Sequence, residues 1–202
     1  PDPGVRLGDH RASAPHSATL YHPSLVLNGF IIMALSVEYS IIMPSLLKYV
    51  NRLGGKNLAF ATSLAVFPMM SAVSRPIAGY LSDFYAFGRI YTTTLVIVVV
   101  GNLLYASAWW LGSLVVLIVG RMLTGIGGAN VDLAMAFTAR VTSSSERTKW
   151  IVRMQIPRMM GMVFGPIFQL CFTSLRFNDG LDSILNEETL PGYFMCLWAS
   201  VL

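Results

Sequence analysis

The chain has 202 residues, 54% of them hydrophobic and 12% charged, with a mean hydropathy of +0.61 and a formal net charge of +4. A soluble domain carries roughly 25% charged residues, so this composition excludes one and indicates a polytopic membrane protein whose first partner is the lipid bilayer. The basic residues are scattered, and no run is dense enough to follow a phosphate backbone, which excludes a nucleic-acid partner. With short connections, a chain of this length accommodates about six helical spans in one domain.

Residues 1–24 are polar and rich in Pro, Ser and His, with no apolar core before a small-residue cleavage site. They read as a disordered cytoplasmic tail rather than a signal peptide, ahead of a membrane domain over 25–202. The irregular spacing of His10, His16 and His22 favours solvated side chains over a metal site. No metal or cofactor is expected.

The first apolar run, Leu25 to Tyr49, is interrupted only by Glu38 and Pro44 and is long enough to cross a bilayer. Asn51-Arg-Leu-Gly-Gly-Lys56 turns the chain into span two, Asn57 to Ser82, which holds Arg75-Pro76. A short loop, Asp83 to Arg89, follows. Span three, Ile90 to Trp110, is β-branched at Thr92-Thr-Thr-Leu-Val-Ile-Val-Val-Val100, but its length favours a lipid-embedded helix over a strand. Gly112-Ser113 leads into span four, ending near Thr138, and a basic loop from Arg140 to Lys149 precedes span five, Trp150 to Phe172. Pro157 and Pro166 predict a kinked span five, packed closely on a neighbour through Gly161 and Gly165. An acidic loop with Asp179, Asp182, Glu187 and Glu188 leads to a sixth run that meets Leu202 after about eleven residues, roughly 17 Å, too short to cross.

Loop charge sets the orientation. An internal N-terminus places Arg6, Arg11, Arg89, Arg140, Arg147, Lys149 and Arg153 on the cytoplasmic side, against Lys48, Arg52, Lys56 and Arg176 outside. Cys171 and Cys196 then lie toward one side, as buried thiols or as a luminal disulfide.

An ionisable group at the bilayer centre costs roughly 2.5–3.5 kcal/mol on insertion scales, so Glu38, Arg75, Arg121 and Asp132 each need a partner or a water-filled cavity. Arg75 and Asp132 are candidates for a buried ion pair. Counting helix rise from each boundary puts Glu38 about 20 Å and Arg121 about 18 Å from the cytoplasmic face. They are candidates for a transport cavity, in which a carboxyl exchanging between an apolar surrounding and an arginine can load and release a proton; a static pair fixing two helices is the alternative. Gly120, Gly125, Gly127 and Gly128 favour close helix packing over a phosphate cradle, since no strand precedes them and no Lys-Ser/Thr follows. Met154, Met159, Met160 and Met162 read as adaptable packing or as the lining of a passage. Glu146-Arg147 after three serines reads as a solvated loop with a helix cap.

Gly79-Tyr-Leu-Ser-Asp83, Phe84-Tyr-Ala-Phe-Gly88-Arg89 and Arg121-Met-Leu-Thr-Gly125-Ile-Gly127-Gly128 together resemble the major facilitator superfamily of secondary transporters. The resemblance implies an all-α membrane protein: the six-helix N-terminal half of the facilitator fold, with its sixth helix cut short and a C-terminal six-span half as partner. It implies a cytoplasmic latch of Gly79, Asp83, Gly88 and Arg89. The segment between Asp83 and Gly88 is two residues longer than the family pattern, and Phe84 stands where a basic residue is usual. Arg121, Gly125 and Gly127 match the family's span-four pattern, and Gly161, Gly165 and Pro166 resemble the antiporter stretch, except that Gln169-Leu170 replace a glycine pair. Ser143-Ser-Ser-Glu146-Arg147-Thr148 with Gly165-Pro-Ile-Phe-Gln169-Leu-Cys171-Phe-Thr173 looks like the lysosomal branch associated with neuronal ceroid lipofuscinosis, which implies an endolysosomal or vacuolar membrane. The function expected is alternating-access transport of a small solute or anion, with proton coupling; an anion channel and a truncated, non-transporting fragment are the alternatives. No Ser-His-Asp set, metal cluster or nucleotide fingerprint supports an enzyme.

Overall fold

A computed structural model of the chain describes residues 21–174 and 189–201. The tail up to residue 20, the acidic loop with its four carboxylates, and residue 202 lie outside the described residues. Among the described residues there are eight helices and no strand.

Helices α1 (Tyr21–Ile41) and α2 (Met43–Arg52) form span one. They are broken at Ile42 because Pro44 has no N–H to offer the Ser40 carbonyl and its ring crowds that group. Span two is α3 (Asn57–Phe84) and span three is α4 (Phe87–Leu111), which Gly112 ends in the left-handed conformation at φ +54°. Helices α5 (Leu114–Gly127) and α6 (Asn130–Val141) form span four, interrupted at Gly128 and Ala129. Pro23–Arg52, Asn57–Phe84, Phe87–Leu111 and Leu114–Val141 are long and apolar enough to cross a bilayer. Helix α7 (Arg147–Ser174) has the length, 28 residues, but polar Arg153, Gln155, Arg158 and Gln169 dilute its apolar character. Helix α8 (Leu190–Val201) closes the described chain.

Span four lies at the centre of the bundle: α5 packs on both α3 and α4, and α6 on both α1 and α7. Helix α7 runs along α1, and α8 along α4. Glycines set these distances. A Cβ at Gly101 of α4 would stand 2.7 Å from the Thr124 amide nitrogen of α5, and one at Gly120 would stand 2.9 Å from the Gly101 carbonyl. The two helices therefore touch backbone to backbone. Gly125 and Gly127, two residues and about 200° apart on α5, serve different neighbours. Gly125 faces Phe67 and Met70 of α3, whereas Gly127 faces Thr94 and Val98 of α4. On α7, Gly161 lies against the Met33 carbonyl and Gly165 against Ser40, and the Ser40 hydroxyl donates to the Gly161 carbonyl at 3.2 Å.

Opposite ends of the bundle are marked by aromatic–arginine contacts, with Arg52 5.9 Å from the Trp109 ring centroid at one end and Arg140 5.6 Å from that of Phe87 at the other. The interior near the first end is packed by Ile41, Leu46, Tyr49, Tyr105, Leu117 and Met195. The outside is apolar too. Met69, Val73, Ile77, Tyr80 and Phe84 form an exposed stripe on α3, and Val152, Ile156, Met159, Val163, Ile167 and Leu170 form one on α7. Spacings of three and four residues put each set on a single face, as a helix in contact with lipid or another helix requires.

Candidate functional site

A cavity of about 240 Å³ lies beside the break in span four and is lined by α1, α3, α4, α5, α6 and α7. Leu35, Ser36, Glu38 and Tyr39 line it from α1, Phe67, Pro68 and Arg75 from α3, Thr124 and Gly127 from α5, and Asn130 and Val131 from α6. Val98 of α4, Gly128 of the span-four break, and Arg158 and Met162 of α7 complete it. Complete ligand pockets are commonly about 300–1,000 Å³, so this one has the size of a partial site.

Glu38 lines the cavity but does not meet Arg121. Its Oε1 accepts the side-chain amide N–H of Asn102, on α4, at 2.7 Å, and no arginine nitrogen of the described residues lies within 4.0 Å of its carboxylate. Arg121 is turned to another neighbour: its guanidinium stands 4.9 Å from the ring centroid of Phe67, is 1% exposed, and leaves Nε and Nη2 without a hydrogen-bond partner. The four-residue spacing from Arg121 to Gly125 explains this, because both fall on the face of α5 against α3, where Gly125 admits the backbone of Phe67. Phe67 in turn packs on Tyr39, with ring centroids 5.0 Å apart. Arg121 therefore lies behind the cavity wall that these two rings form. A cation–π contact contributes about 0.5–2 kcal/mol, less than the roughly 2.5–3.5 kcal/mol cost of a membrane-embedded arginine.

Arg75 and Asp132 do pair, at 2.9 Å, linking α3 to α6; the side chains are 46% and 44% exposed, so the pair is half-buried within this chain rather than buried. Arg158 has no side-chain hydrogen bond or ion pair among the described residues. Other polar contacts tie the spans around the cavity. Thr94 on α4 donates to the side-chain oxygen of Asn130, and the Asn28 amide reaches the Ala134 carbonyl at 2.9 Å and the Thr138 hydroxyl at 2.8 Å. Of the methionines, Met162 lines the cavity, Met154 packs in the core with Leu25, Ile32 and Ala134, and Met159 and Met160 are exposed. Cys171 and Cys196 are free thiols, and neither is buried as expected: Cys171 is exposed on α7 and Cys196 is half-buried on α8. Pro166 sits within α7 one residue after Gly165.

At the Phe87 end, Asp83 is engaged by Arg140 of α6, 2.8 Å away, and not by Arg89. The same guanidinium donates to the Ser82 carbonyl at 3.3 and 3.4 Å and to the Ser82 hydroxyl at 3.1 Å, so it caps the end of α3 while resting on Phe87. Arg89 is exposed at the start of α4, with no ion-pair partner within 4.0 Å among the described residues. Phe84 occupies the position where a local cation is usual, so the cation comes from span four instead. A Cβ at Gly79 or Gly88 would meet nothing within 4 Å among the described residues, and neither glycine has a positive φ.

An all-helical bundle with backbone-close glycine contacts, breaks in two spans and ionisable side chains around an inner cavity is that of a polytopic integral membrane protein. The chain belongs to the Major Facilitator Superfamily, whose family model matches residues 26–176. It is 31% identical over 134 residues to the class B tetracycline resistance protein of Escherichia coli, covering 62% of this chain and 31% of that protein. It is 28% identical over 165 residues to major facilitator superfamily domain-containing protein 8 of Xenopus laevis, covering 77% and 32%. It is 31% identical over 188 residues to an SPX domain-containing membrane protein of Oryza sativa subsp. indica, covering 87% and 24%. The chain thus spans a third or less of the length of these three relatives.

Proposed function

We propose that this chain forms the N-terminal half of a secondary transporter that carries a small solute or anion by alternating access, rocking against a C-terminal six-span half. The observation that carries the reading is the cavity: spans one to five all contribute to its lining, and Glu38, Arg75 and Arg158 line it. The exposed stripes on α3 and α7 are apolar surface for lipid or for the second half. Asp83 and Arg140 form the latch, a contact between the ends of spans two and four that biases one conformer. Glu38 is the proton-coupling carboxyl, because it alone among the described acids lines the cavity. Arg121 holds the wall behind it.

The setting we propose is an endolysosomal or vacuolar membrane, with the N-terminus cytoplasmic. The resemblance of Ser143–Thr148 and Gly165–Thr173 to the lysosomal branch supports this setting. The excess of basic residues at the Phe87 end, with Arg89, Arg140, Arg147 and Lys149, supports the orientation. Planar-bilayer recording tests the carrier mechanism against a channel. The full-length protein in symmetrical chloride should pass no unitary currents, and discrete openings would contradict alternating access.

A further inference from the structure

Each ionisable group around the cavity has an ionic, hydrogen-bonding or aromatic partner among the described residues, except on α7. Asp132 of α6 neutralises Arg75 of α3 at 2.9 Å, and Asn102 of α4 donates to Glu38 of α1 at 2.7 Å. Arg121 of α5 is sealed behind Phe67. Arg158 lines the cavity from α7 with no side-chain partner among the described residues. Of the charged side chains that line the cavity, Glu38, Arg75 and Arg158, the two guanidiniums outnumber the one carboxylate, and with Arg75 paired to Asp132 the cation left without a side-chain partner among the described residues is Arg158. An unpaired cation lining a cavity attracts an anion that can reach it, and a guanidinium presents paired donors that match the oxygens of a carboxylate or phosphate. The position is also a stable platform. Helix α7 is held against α1 at Gly161, one turn further on, where the backbones approach too closely to admit a side chain.

We propose that Arg158 is the residue through which this cavity receives the anionic group of its solute, a carboxylate or phosphate. The proposal rests on the transport reading above and narrows it to anionic solutes. Arg75 is not the receptor, because Asp132 already occupies it. Arg121 is not either, because Phe67 covers it.

The test is ligand-dependent thermal unfolding of the purified full-length protein, titrated at constant ionic strength with potassium succinate, inorganic phosphate, neutral succinamide and putrescine. Succinate or phosphate should raise the unfolding midpoint saturably, the better of the two naming the anion class, while succinamide and putrescine should not. Arg158→Gln should weaken that anion by at least about tenfold, the scale of one charged hydrogen bond. Arg158→Lys should retain part of the affinity, and it serves as the test variant if Arg158→Gln does not fold. Equal anion affinity in wild type and either variant would overturn the proposal, as would stabilisation of wild type by putrescine alone or by no anion. Sidedness of labelling in the cavity, measured in parallel on a Ser36→Cys protein, separates the two levels of the account. Alternating labelling without anion binding overturns the role of Arg158 and leaves transport standing; labelling from one side only overturns the transport reading itself.

Discussion

Gly125→Ala and Gly29→Ala place the same methyl group at two helical glycines and should have opposite effects. A Cβ at Gly125 would stand 2.6 Å from the Phe67 carbonyl oxygen, 2.9 Å from Met70 Cβ and 3.1 Å from Phe67 Cα, all atoms fixed to the α3 helix. Comfortable carbon contacts begin near 3.5 Å, so α3 must retreat by about 0.5–1 Å. Overpacking of this kind costs about 1–3 kcal/mol, and alanine recovers about 0.5–1 kcal/mol through helix propensity. The retreat also pulls the Phe67 ring from its 4.9 Å contact with Arg121, at a further cost of about 0.5–2 kcal/mol. The net expectation for Gly125→Ala is a loss of about 0.5–4.5 kcal/mol. At Gly29 the added Cβ would lie 3.7 Å from both Met154 Sδ and Pro157 Cγ, an ordinary contact, so the propensity gain stands alone and the variant should be stabilised by up to about 1 kcal/mol. Thermal unfolding of both variants in the full-length protein in detergent measures the difference. A Gly125→Ala protein as stable as Gly29→Ala would refute the close approach of α3 and α5, and with it the placement of Arg121 behind Phe67.

Arg140→Gln removes the ion pair to Asp83 and the bonds to Ser82 and should destabilise the conformer described here by about 1–2 kcal/mol, given that the Asp83 side chain is 70% exposed. Arg89→Gln should have less than half that effect, and equal effects on thiol accessibility at the Phe87 end would return the latch to Arg89. Exchanging charges in Arg75→Asp with Asp132→Arg should recover what either single change loses. Their coupling should stay below about 1 kcal/mol if the pair is as hydrated as its exposure indicates, whereas a coupling of about 3 kcal/mol or more in a double-mutant cycle would show that the assembled protein buries it. Glu38→Gln keeps an acceptor for the Asn102 amide but cannot exchange a proton, so the protein should fold while uptake loses its dependence on pH; unchanged pH dependence at normal expression would remove Glu38 from coupling.

Spans one to four were legible because length and apolar composition fix them, and the turns at Gly54-Gly55 and Gly112-Ser113 announce themselves by residue type; α7 has the length expected of span five, but its polar side chains dilute the apolar signal. Pro44 also marked its own helix break, whereas the break after Gly127 did not stand out from a run of glycines that serves packing as well. The site was harder to read. Counting rise along two helices put Glu38 and Arg121 at one depth but says nothing of rotation about each axis. Packing turns Glu38 toward Asn102 and Arg121 toward Phe67. Asn102 was missed as one amide in a β-branched span. Arg140 was counted only as a loop charge, although it lies within the last turn of α6 and reaches the end of α3. Arg158 carried a usable signal: it lies eight residues beyond Trp150, about 12 Å into span five by helix rise, deep enough to require a partner.

The central claim, a cavity that opens in turn to each side of the membrane, is tested most directly at Ser36, which lines it from α1. In a full-length Ser36→Cys protein with Cys171 and Cys196 replaced by serine, a membrane-impermeant thiol reagent should label position 36 from either side of sealed vesicles. Arg140→Gln should change the ratio of the two rates by about five- to thirtyfold, the population shift expected for 1–2 kcal/mol. Labelling from one side only, with a ratio unmoved by Arg140→Gln, would contradict alternating access.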